Sequence, residues 1–355
     1  MKTMNKTALA VLTALALLCA AFILTPDAER STLERRRLTA AGDLAWGETE
    51  TLETYFTDQL PLHQSLRNLK TWVETAALRQ GDVGGYYREG EHLFESQYPT
   101  DERQIAYAAS HLAEVCETYL PGRNLCWAVV PDKGYFAEGS RPGLDYQLLL
   151  DTMASALPAD AVYADLFSAL TLADYYRTDP HWRQERLTSA AAELLRALDA
   201  KAPARTYTEN TLSPFTGLYP GKSGLWAEPE ALTYLTDAVT ESACVTSAET
   251  GDMAVYTVER WETDEDGYNV FLGGPQAVVT IHNPLAETER ELVVFRDSFG
   301  SAMAPLLLGG YSRVTLVDLR YVAPQLLPQL VDLEGADDVL LLFSAQVLNA
   351  GRILK

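Results

Sequence analysis

Two short runs near the C-terminus are apolar on both faces, and they constrain the fold of this chain more than any other feature. Val314 to Leu319 and Val339 to Phe343 carry almost no polar alternation, which is typical of parallel strands that are covered on both faces. Phe299 to Leu308 has helical periodicity and lies before the first of these runs. The alternation of strands and helices predicts an α/β fold, with a mainly parallel sheet flanked by helices.

The same rhythm occurs earlier in the chain. Further helices are predicted over Arg103 to Tyr119, Leu144 to Ala156 and Arg183 to Ala200, and further strands over Leu125 to Val130, Ala161 to Asp165, Val278 to His282 and Leu292 to Phe295. Residues 203–275 are less regular. Their turn residues and alternating stretches, such as Met253 to Val258, predict hairpins inserted into the main domain.

The N-terminus predicts an address outside the cytoplasm. Lys2 and Lys6 precede an apolar run from Ala8 to Leu24, and no small-x-small cleavage pattern follows it. We therefore expect residues 1–25 to form an uncleaved signal anchor, so that the chain crosses the cell membrane once and its folded part is exported. A cleaved signal, which would make the protein secreted, is the alternative. The arginines that follow at 30 and 35–37 run against the positive-inside rule for this orientation.

Two further regions follow the anchor. A polar stalk over residues 26–47 leads into a helical pattern from Glu48 to Arg79, which Pro61 interrupts. Residues 26–80 are thus predicted to be a stalk with amphipathic helices. Residues 81–355 are predicted to be the main globular domain, including the irregular insertion 203–275.

Charge and cysteine content exclude several classes of function. The net charge of −21 argues against nucleic-acid binding, which depends on lysine and arginine to neutralise phosphates. Cys116 and Cys126 could form a disulfide in an oxidising compartment, but the favoured interpretation is that both are small buried residues with free thiols. No His, Cys or acidic cluster has metal-ligand spacing, so neither a metal nor a cofactor is predicted.

Two segments carry residues suited to acyl transfer. Ser298 follows a predicted buried strand and precedes a helix, which places it at the carboxyl edge of the sheet, where α/β proteins bind ligands. A serine hydroxyl needs a base to remove its proton. Of the histidines at 63, 92, 111, 181 and 282, only His181 has an aspartate, Asp179, two positions before it. An ordinary helix cap is the competing interpretation of Ser298.

The motifs resemble those of the DHHW protein family. Asp179-Pro180-His181-Trp182 is similar to the Asp-His-His-Trp signature, although proline replaces the first histidine. The remaining segments that fit the family are Arg296 to Gly300, Pro305, Val317 to Tyr321, Phe56 to Pro61, Val130 to Lys133 and Phe271 to Gly274. This family is similar to the SGNH-like periplasmic proteins of alginate O-acetylation.

The resemblance implies an SGNH-like (flavodoxin-like) fold with a circularly permuted motif order, in which aspartate and histidine precede serine. It implies that Ser298 is the nucleophile, His181 the general base and Asp179 the residue that orients it. SGNH enzymes use a glycine and an asparagine as oxyanion donors. Here Gly273 and Gly274 are the glycine candidates. Pro275 follows them where the family often has asparagine, so Asn269 and Asn283 are the remaining side-chain candidates.

The function implied is O-acetylation of a cell-surface or secreted polysaccharide through an acyl-Ser298 intermediate. The resemblance also implies a partner, a membrane-bound O-acyltransferase that delivers the acetyl group across the membrane. Two alternatives stay open. The same residues would serve a carbohydrate acetylesterase, and the chain would otherwise be a non-catalytic glycan-binding or scaffold protein of an exopolysaccharide system.

Overall fold

The computed structural model of this chain describes residues 6–31, 33–139 and 141–355. It divides into two compact units. The first takes residues up to Gly84 together with Leu218–Ala227, and the second takes Gly85–Gly217 and Glu228–Lys355.

The helices alternate with strands along most of the chain. They are α1 Lys6–Leu24, α2 Thr49–Gln59, α3 His63–Trp72, α4 Glu102–Tyr119, α5 Tyr146–Ala156, α6 Leu166–Ala169, α7 Thr188–Ala197, α8 Leu218–Ser223, α9 Ala238–Ser242, α10 Phe299–Leu307, α11 Leu327–Leu330 and α12 Ala345–Asn349. A π-helical turn, Val73–Ala77, continues α3.

The strands are β1 Arg30–Ser31, β2 Arg36–Arg37, β3 Tyr86–Glu89, β4 His92–Glu95, β5 Asn124–Val130, β6 Val162–Tyr163, β7 Thr208–Phe215, β8 Glu230–Thr236, β9 Cys244–Ser247, β10 Gly251–Met253, β11 Val278–His282, β12 Glu291–Arg296, β13 Arg313–Val317 and β14 Asp338–Ser344. The strands and helices predicted for the main domain are therefore present, with ends shifted by a few residues. The exception is the helix expected from Arg183, which begins at Thr188.

The first unit contains α1, which is long and apolar enough to cross a membrane. This helix is compatible with a membrane anchor. A signal sequence that is later removed would have the same length and composition. Helices α2 and α3 are separated at Pro61, as predicted, and the intervening Leu62 has φ +63°. In the last turn of α2, Asp58 is 3% exposed and its carboxylate is paired with Arg36, which also contacts Glu34.

The second unit is built on an eight-stranded sheet with the order β10-β9-β11-β13-β12-β14-β5-β6. Strands β13, β12, β14, β5 and β6 run parallel to their neighbours in this group. Strands β11, β9 and β10 continue the sheet in antiparallel pairing. The predicted α/β class with a mainly parallel sheet is confirmed.

Helices cover both faces of this sheet. On one face, α7 and α10 pack against Val294 of β12 and Leu340 of β14. On the other face, α4 and α5 pack against the alternate residues Val293 and Leu341. Burial on both sides explains why these strands read as uninterrupted apolar runs in the sequence.

The irregular region 203–275 differs from the predicted set of inserted hairpins. Strands β7 and β8 do form an antiparallel hairpin of their own. Strands β9 and β10, however, are the edge of the main sheet. The alternating stretch from Met253 to Val258 is not a hairpin, because it pairs instead with the segment at 270–272 through the bridge Tyr256–Phe271.

The two cysteines considered for pairing are free thiols on opposite faces of the sheet. Cys116 faces the α4 side and Cys126 faces the α7 side, and both are buried. Burial raises the pKa of each thiol to about 12, so both stay protonated and unreactive at neutral pH.

The neutral form of His92 contributes to stability in a pH-dependent way. Its Nδ1 atom is buried and has no hydrogen-bond partner among the described residues. Burial, followed by the charges of Lys133 and Arg177, lowers the pKa of His92 to about 4 from 6.5. The unfolded chain binds more protons in this range, so the free energy of unfolding should decrease as the pH falls from about 6.5 to 4. In thermal unfolding scans over that interval, the melting temperature of His92→Gln should fall less than that of the wild type. The melting temperature of His282→Gln, a change at an exposed position, should fall as much as that of the wild type.

Candidate active site

Ser298 lies at the carboxyl end of β12, at the first turn of α10. Its backbone is helical, with φ −59° and ψ −25°, and its side chain makes no capping hydrogen bond. The helix is capped instead by the buried Asp297, whose Oδ1 accepts the N–H of Phe299 at 3.0 Å and whose Oδ2 accepts the N–H of Ser344 at 2.7 Å. The helix-cap interpretation of Ser298 is therefore wrong, and its hydroxyl is available for another partner.

That partner is His181. The Ser298 Oγ atom lies 2.7 Å from His181 Nε2, and His181 Nδ1 lies 2.6 Å from Asp179 Oδ1. Because a carboxylate only accepts hydrogen bonds, Nδ1 is the protonated nitrogen, and Nε2 accepts from the serine hydroxyl. The structure thus brings together the three residues selected from the sequence, in the order nucleophile, base and orienting acid that acyl transfer requires.

Burial differs along this chain of hydrogen bonds. The Asp179 side chain has no exposed surface, the His181 side chain is 12% exposed, and Ser298 is half-buried. The acid is thus shielded from water, while the hydroxyl is open to a substrate.

Asp179 and His181 lie at the tip of a tight loop. An antiparallel bridge joins Tyr175 to Trp182, and the N–H of Tyr176 donates to the His181 carbonyl. The N–H of His181 donates to Asp179 Oδ1 at 3.1 Å. Pro180 fixes the backbone between them. Together these bonds set the orientation of the imidazole before any substrate arrives.

Two side chains tie this loop to the helix that carries the serine. Trp182 is fully buried and its indole N–H donates to the Phe299 carbonyl at 3.2 Å. Gln184 is also fully buried. Its amide N–H donates to the Ala302 carbonyl at 2.8 Å, and its oxygen accepts the N–H of Leu235. These bonds hold His181 at a fixed distance from Ser298 across 117 residues of sequence.

The β7–β8 hairpin supports the other side of the loop. Glu230, the first residue of β8, accepts the backbone N–H groups of Arg177 and Thr178 and the Thr178 hydroxyl. Gly217 approaches so closely that any side chain there would collide with the Thr178 carbonyl and the Asp179 side chain. Part of the irregular region thus positions the candidate acid.

A buried lysine lies beneath the loop. Lys133, which follows β5, is 2% exposed. Its ammonium group donates to the carbonyls of Leu93, Tyr176 and Arg177 at 2.5–3.0 Å, and the Asp179 carbonyl lies at 3.4 Å. Burial lowers the pKa of Lys133 to about 7, although Asp179 and Glu230 oppose this effect.

Aromatic rings cover the imidazole. Tyr268 stacks on His181 with ring centroids 3.9 Å apart and an interplanar angle of 11°, and Phe299 lies 4.9 Å away. Tyr268 is buried, which raises the pKa of its hydroxyl well above the ordinary value. This stack limits rotation of the imidazole.

Two backbone N–H groups at this edge of the sheet are candidates for stabilising an oxyanion. Within the described part of the chain, the N–H groups of Ser298 and Gly273 have no hydrogen-bond acceptor. Gly273 lies in the loop before β11, and the antiparallel register of β11 with β13 brings this loop to the same edge as the end of β12. Its φ of +69° is a conformation that favours glycine.

The other donor candidates have partners of their own. The N–H of Gly274 donates to the Phe271 carbonyl, and the Asn269 amide donates to Asp264 at 2.8 Å. Asn283 follows β11, at the opposite edge of the sheet from Ser298, and its buried amide donates to the Leu308 carbonyl. Asn283 is therefore ruled out as an oxyanion donor.

No group of three His, Cys, Asp or Glu side chains suited to a metal ion occurs within residues 6–31, 33–139 and 141–355. The arrangement at the sheet edge is suited to nucleophilic chemistry by its own side chains.

Sequence reasoning did not find several residues that shape the site. They are Asp297, Glu230, Gly217 and Tyr268, and Lys133 was noted only as part of a family-like motif. Only Asp297 had a local signal, because an aspartate directly before a helix is a common cap. The others act through contacts between distant segments.

The fold was compared with known proteins. No model of a known protein family and no curated protein matches this chain. A DHHW family protein from Eubacterium siraeum DSM 15702 has a similar structure, with a TM-score of 0.59, 23% identity, and coverage of 76% of this chain and 93% of that protein. Bacillus cereus PatB1, in a structure with a sulfonyl adduct, has a TM-score of 0.59 and 18% identity, and the match covers 74% of this chain and 95% of PatB1.

The O-acetyltransferase domain of Pseudomonas putida AlgJ superposes less closely, with a TM-score of 0.48 and 15% identity over 76% of this chain and 93% of that domain. The match to the Eubacterium siraeum protein shows that this chain shares the fold of a DHHW family protein, as the resemblance of its motifs predicts.

Proposed function

We propose that this chain is a serine-dependent acyltransferase, which moves an acetyl group onto a hydroxyl of a polysaccharide outside the cytoplasm. The observation that carries the proposal is the unbroken series of hydrogen bonds from Ser298 through His181 to Asp179. The serine hydroxyl points to the imidazole although a helix N-terminus lies beside it, and Asp297 has taken over the capping role.

The first half-reaction transfers the acyl group to the enzyme. His181 Nε2 removes the hydroxyl proton as Ser298 Oγ attacks the acyl carbonyl carbon. The N–H groups of Ser298 and Gly273 are the donors proposed for the negative charge on the carbonyl oxygen. As this intermediate collapses, the bond to the donor oxygen breaks, and protonated His181 returns the proton to it. Asp179 stabilises the imidazolium throughout.

The second half-reaction reverses these roles on a new alcohol. His181 removes a proton from a sugar hydroxyl, whose oxygen attacks the acyl-Ser298 carbon. Collapse of the intermediate releases the acetylated sugar and restores the Ser298 hydroxyl. If water takes the place of the sugar, the same site is an esterase.

The apolar helix α1 supports the proposed location, because it is suited to tether the chain at the membrane. An acyl donor on the far side of that membrane would need an integral protein to deliver it, and a membrane-bound O-acyltransferase is the proposed partner.

Labelling with a sulfonyl fluoride tests the nucleophile. PatB1 carries a sulfonyl adduct in its structure, and sulfonyl fluorides react with activated hydroxyls rather than ordinary ones. The full chain treated with phenylmethylsulfonyl fluoride should gain one sulfonyl group on the peptide that contains Ser298. Ser298→Ala should gain none, whereas Ser301→Ala, three residues along the same helix, should be labelled like the wild type. Equal and low labelling of all three would contradict the proposed nucleophile and favour a glycan-binding scaffold.

An acceptor assay separates transfer from hydrolysis. The full chain is incubated with p-nitrophenyl acetate and mixed oligosaccharides, and the sugars are analysed by mass spectrometry. Acetylated oligosaccharide that depends on Ser298 is the expected product. Release of free acetate alone would instead identify an esterase.

A further inference from the structure

Helix α3 buries its polar side and exposes its apolar side, the reverse of an ordinary surface helix. Its polar side chains face the interior of the first unit. The Arg67 guanidinium donates to the Gly221 carbonyl at 2.9 Å and pairs with Glu34 at 2.7 Å. The Thr71 hydroxyl is buried and donates to the Ser223 carbonyl at 2.7 Å. The segment at 218–224 therefore receives the polar stripe of α3.

The opposite stripe of α3 is apolar and exposed. We call the following residues the apolar α3 face: Leu62 just before the helix, Leu66, Leu69 and Trp72 within it, and Val73 just after it, which are 72%, 40%, 56%, 62% and 38% exposed. Their spacing of three and four residues places them along one side of the helix. A helix in a soluble domain normally buries its apolar stripe and exposes its polar one. A contiguous apolar strip of this kind marks a surface that is covered by something else.

The first unit also contains the membrane-compatible helix α1, and the two regions are linked by contacts. Phe22, in the last turn of α1, stacks on Phe56 of α2 with ring centroids 5.2 Å apart and meets Tyr55 edge-on at 5.7 Å. If α1 spans a bilayer, this contact places α2 at the level where the hydrocarbon ends. Tyrosine and tryptophan are enriched at that level.

Chain length keeps the apolar α3 face near the same level. Leu62 follows Phe56 by only six residues, which span about 20 Å at most. Trp46, before α2, is fully exposed, and Phe56 is 49% exposed. Two aromatic side chains of α2 thus pack against the end of α1, and a short stretch of chain leads from them to the exposed stripe of α3.

We propose that the apolar α3 face lies in the interfacial layer of the lipid bilayer, on the side of the membrane where the folded chain is located. The face fits an interfacial helix, because it has a strong apolar stripe but a polar opposite side and no continuous apolar span. The contacts of α1 favour lipid as the partner of this face. Because the tether keeps the face close to the bilayer, even a weak preference for lipid is enough to hold it there.

Fluorescence in vesicles tests this assignment. The full chain is reconstituted into phosphatidylcholine vesicles with or without bromine atoms on the acyl chains, which quench nearby tryptophans. The difference between the emission of the wild type and of Trp72→Phe isolates the contribution of Trp72. We expect this contribution to be blue-shifted and to lose most of its intensity in brominated vesicles. The corresponding difference for Trp261→Phe, in the second unit, should be quenched little.

A charged double variant provides a second measurement. Leu66→Glu/Leu69→Glu should move the face out of the lipid, so that Trp72 emission shifts to the red and escapes the brominated chains. Both side chains point away from the contacts with Glu34, Gly221 and Ser223, so circular dichroism should match that of the wild type. The matched control is Leu326→Glu/Leu330→Glu, which changes two exposed leucines of the second unit and should leave the quenching unchanged.

Two outcomes would overturn the proposal. Trp72 emission that is unaffected by bromine but quenched by aqueous iodide would show that the face is in water. Emission shielded from both quenchers would show that protein rather than lipid covers it. Neither outcome bears on the role of Ser298.

Discussion

Replacing Ser298 with alanine is expected to lower the turnover of p-nitrophenyl acetate by about 10⁶-fold, which leaves only the residual catalysis that binding and the oxyanion donors supply. The change removes the atom that attacks the carbonyl and leaves the base with no proton to take. His181→Ala should have a similar effect, because an unassisted serine hydroxyl is a poor nucleophile. Asp179→Asn is expected to lower the rate by about 10⁴-fold, because an amide can hold the wrong tautomer of the imidazole.

The combination of variants is more informative than any single one. Since Ser298, His181 and Asp179 form one series of hydrogen bonds, they should act as a unit. The double variant Ser298→Ala/His181→Ala should therefore be no slower than Ser298→Ala alone. Steady-state kinetics of the full chain would measure these effects, with His111→Ala as a control histidine outside the site. Multiplicative losses would show that Ser298 and His181 do not act as a unit. A Ser298→Ala variant with wild-type turnover would show that another group is the nucleophile.

Replacing Lys133 with methionine is expected to weaken both the fold and the site. The variant removes the ammonium group that bridges the carbonyls of Leu93, Tyr176 and Arg177. Leaving buried acceptors without this donor should lower the free energy of unfolding by about 1–3 kcal/mol. A displacement of about 1 Å at Asp179 and His181 should lower kcat by about 10²-fold even in the folded protein.

Three readouts measure the two roles of Lys133, and only kcat reports on positioning. Urea unfolding gives the loss of stability, and kcat measured well below the transition gives the loss of positioning. The third is the pH dependence of stability. Because the pKa of Lys133 is about 7 in the folded chain and 10.5 in the unfolded one, its contribution to the free energy of unfolding should rise between those pH values. Lys133→Met should lose this rise, and Lys201→Met, at an exposed position, should keep it. An unchanged kcat in the folded variant would limit Lys133 to a structural role.

The parallel part of the fold could be predicted from the sequence for a specific physical reason. Strands β12 and β14 are buried on both faces, so their residues are apolar without alternation and can be recognised in the sequence. Strand β11 gives the same local signal, yet it runs antiparallel to β13. Whether a strand runs parallel or antiparallel depends on how the preceding connection returns the chain to the sheet. The residues of the strand itself do not indicate this.

The site was predictable to the same extent. Carboxyl ends of parallel strands meet at one edge, and this rule brings Ser298 to a position where His181 can reach it. The support of Asp179 by Glu230 and Gly217, and the stacking of Tyr268 on His181, depend on contacts between segments tens of residues apart. The individual residues have no distinctive neighbours in the sequence, so nothing local could have selected them.

The bonds from Trp182 and Gln184 to the first turns of α10 have a consequence for how the protein moves. Because the base and the nucleophile are fastened to each other through buried donors, neither can swing away while the other stays in place. Opening the site would have to melt the loop and the start of the helix together. Native-state hydrogen exchange should therefore find the Trp182 indole proton and the amides of α10 released in a single cooperative event, with the same free energy.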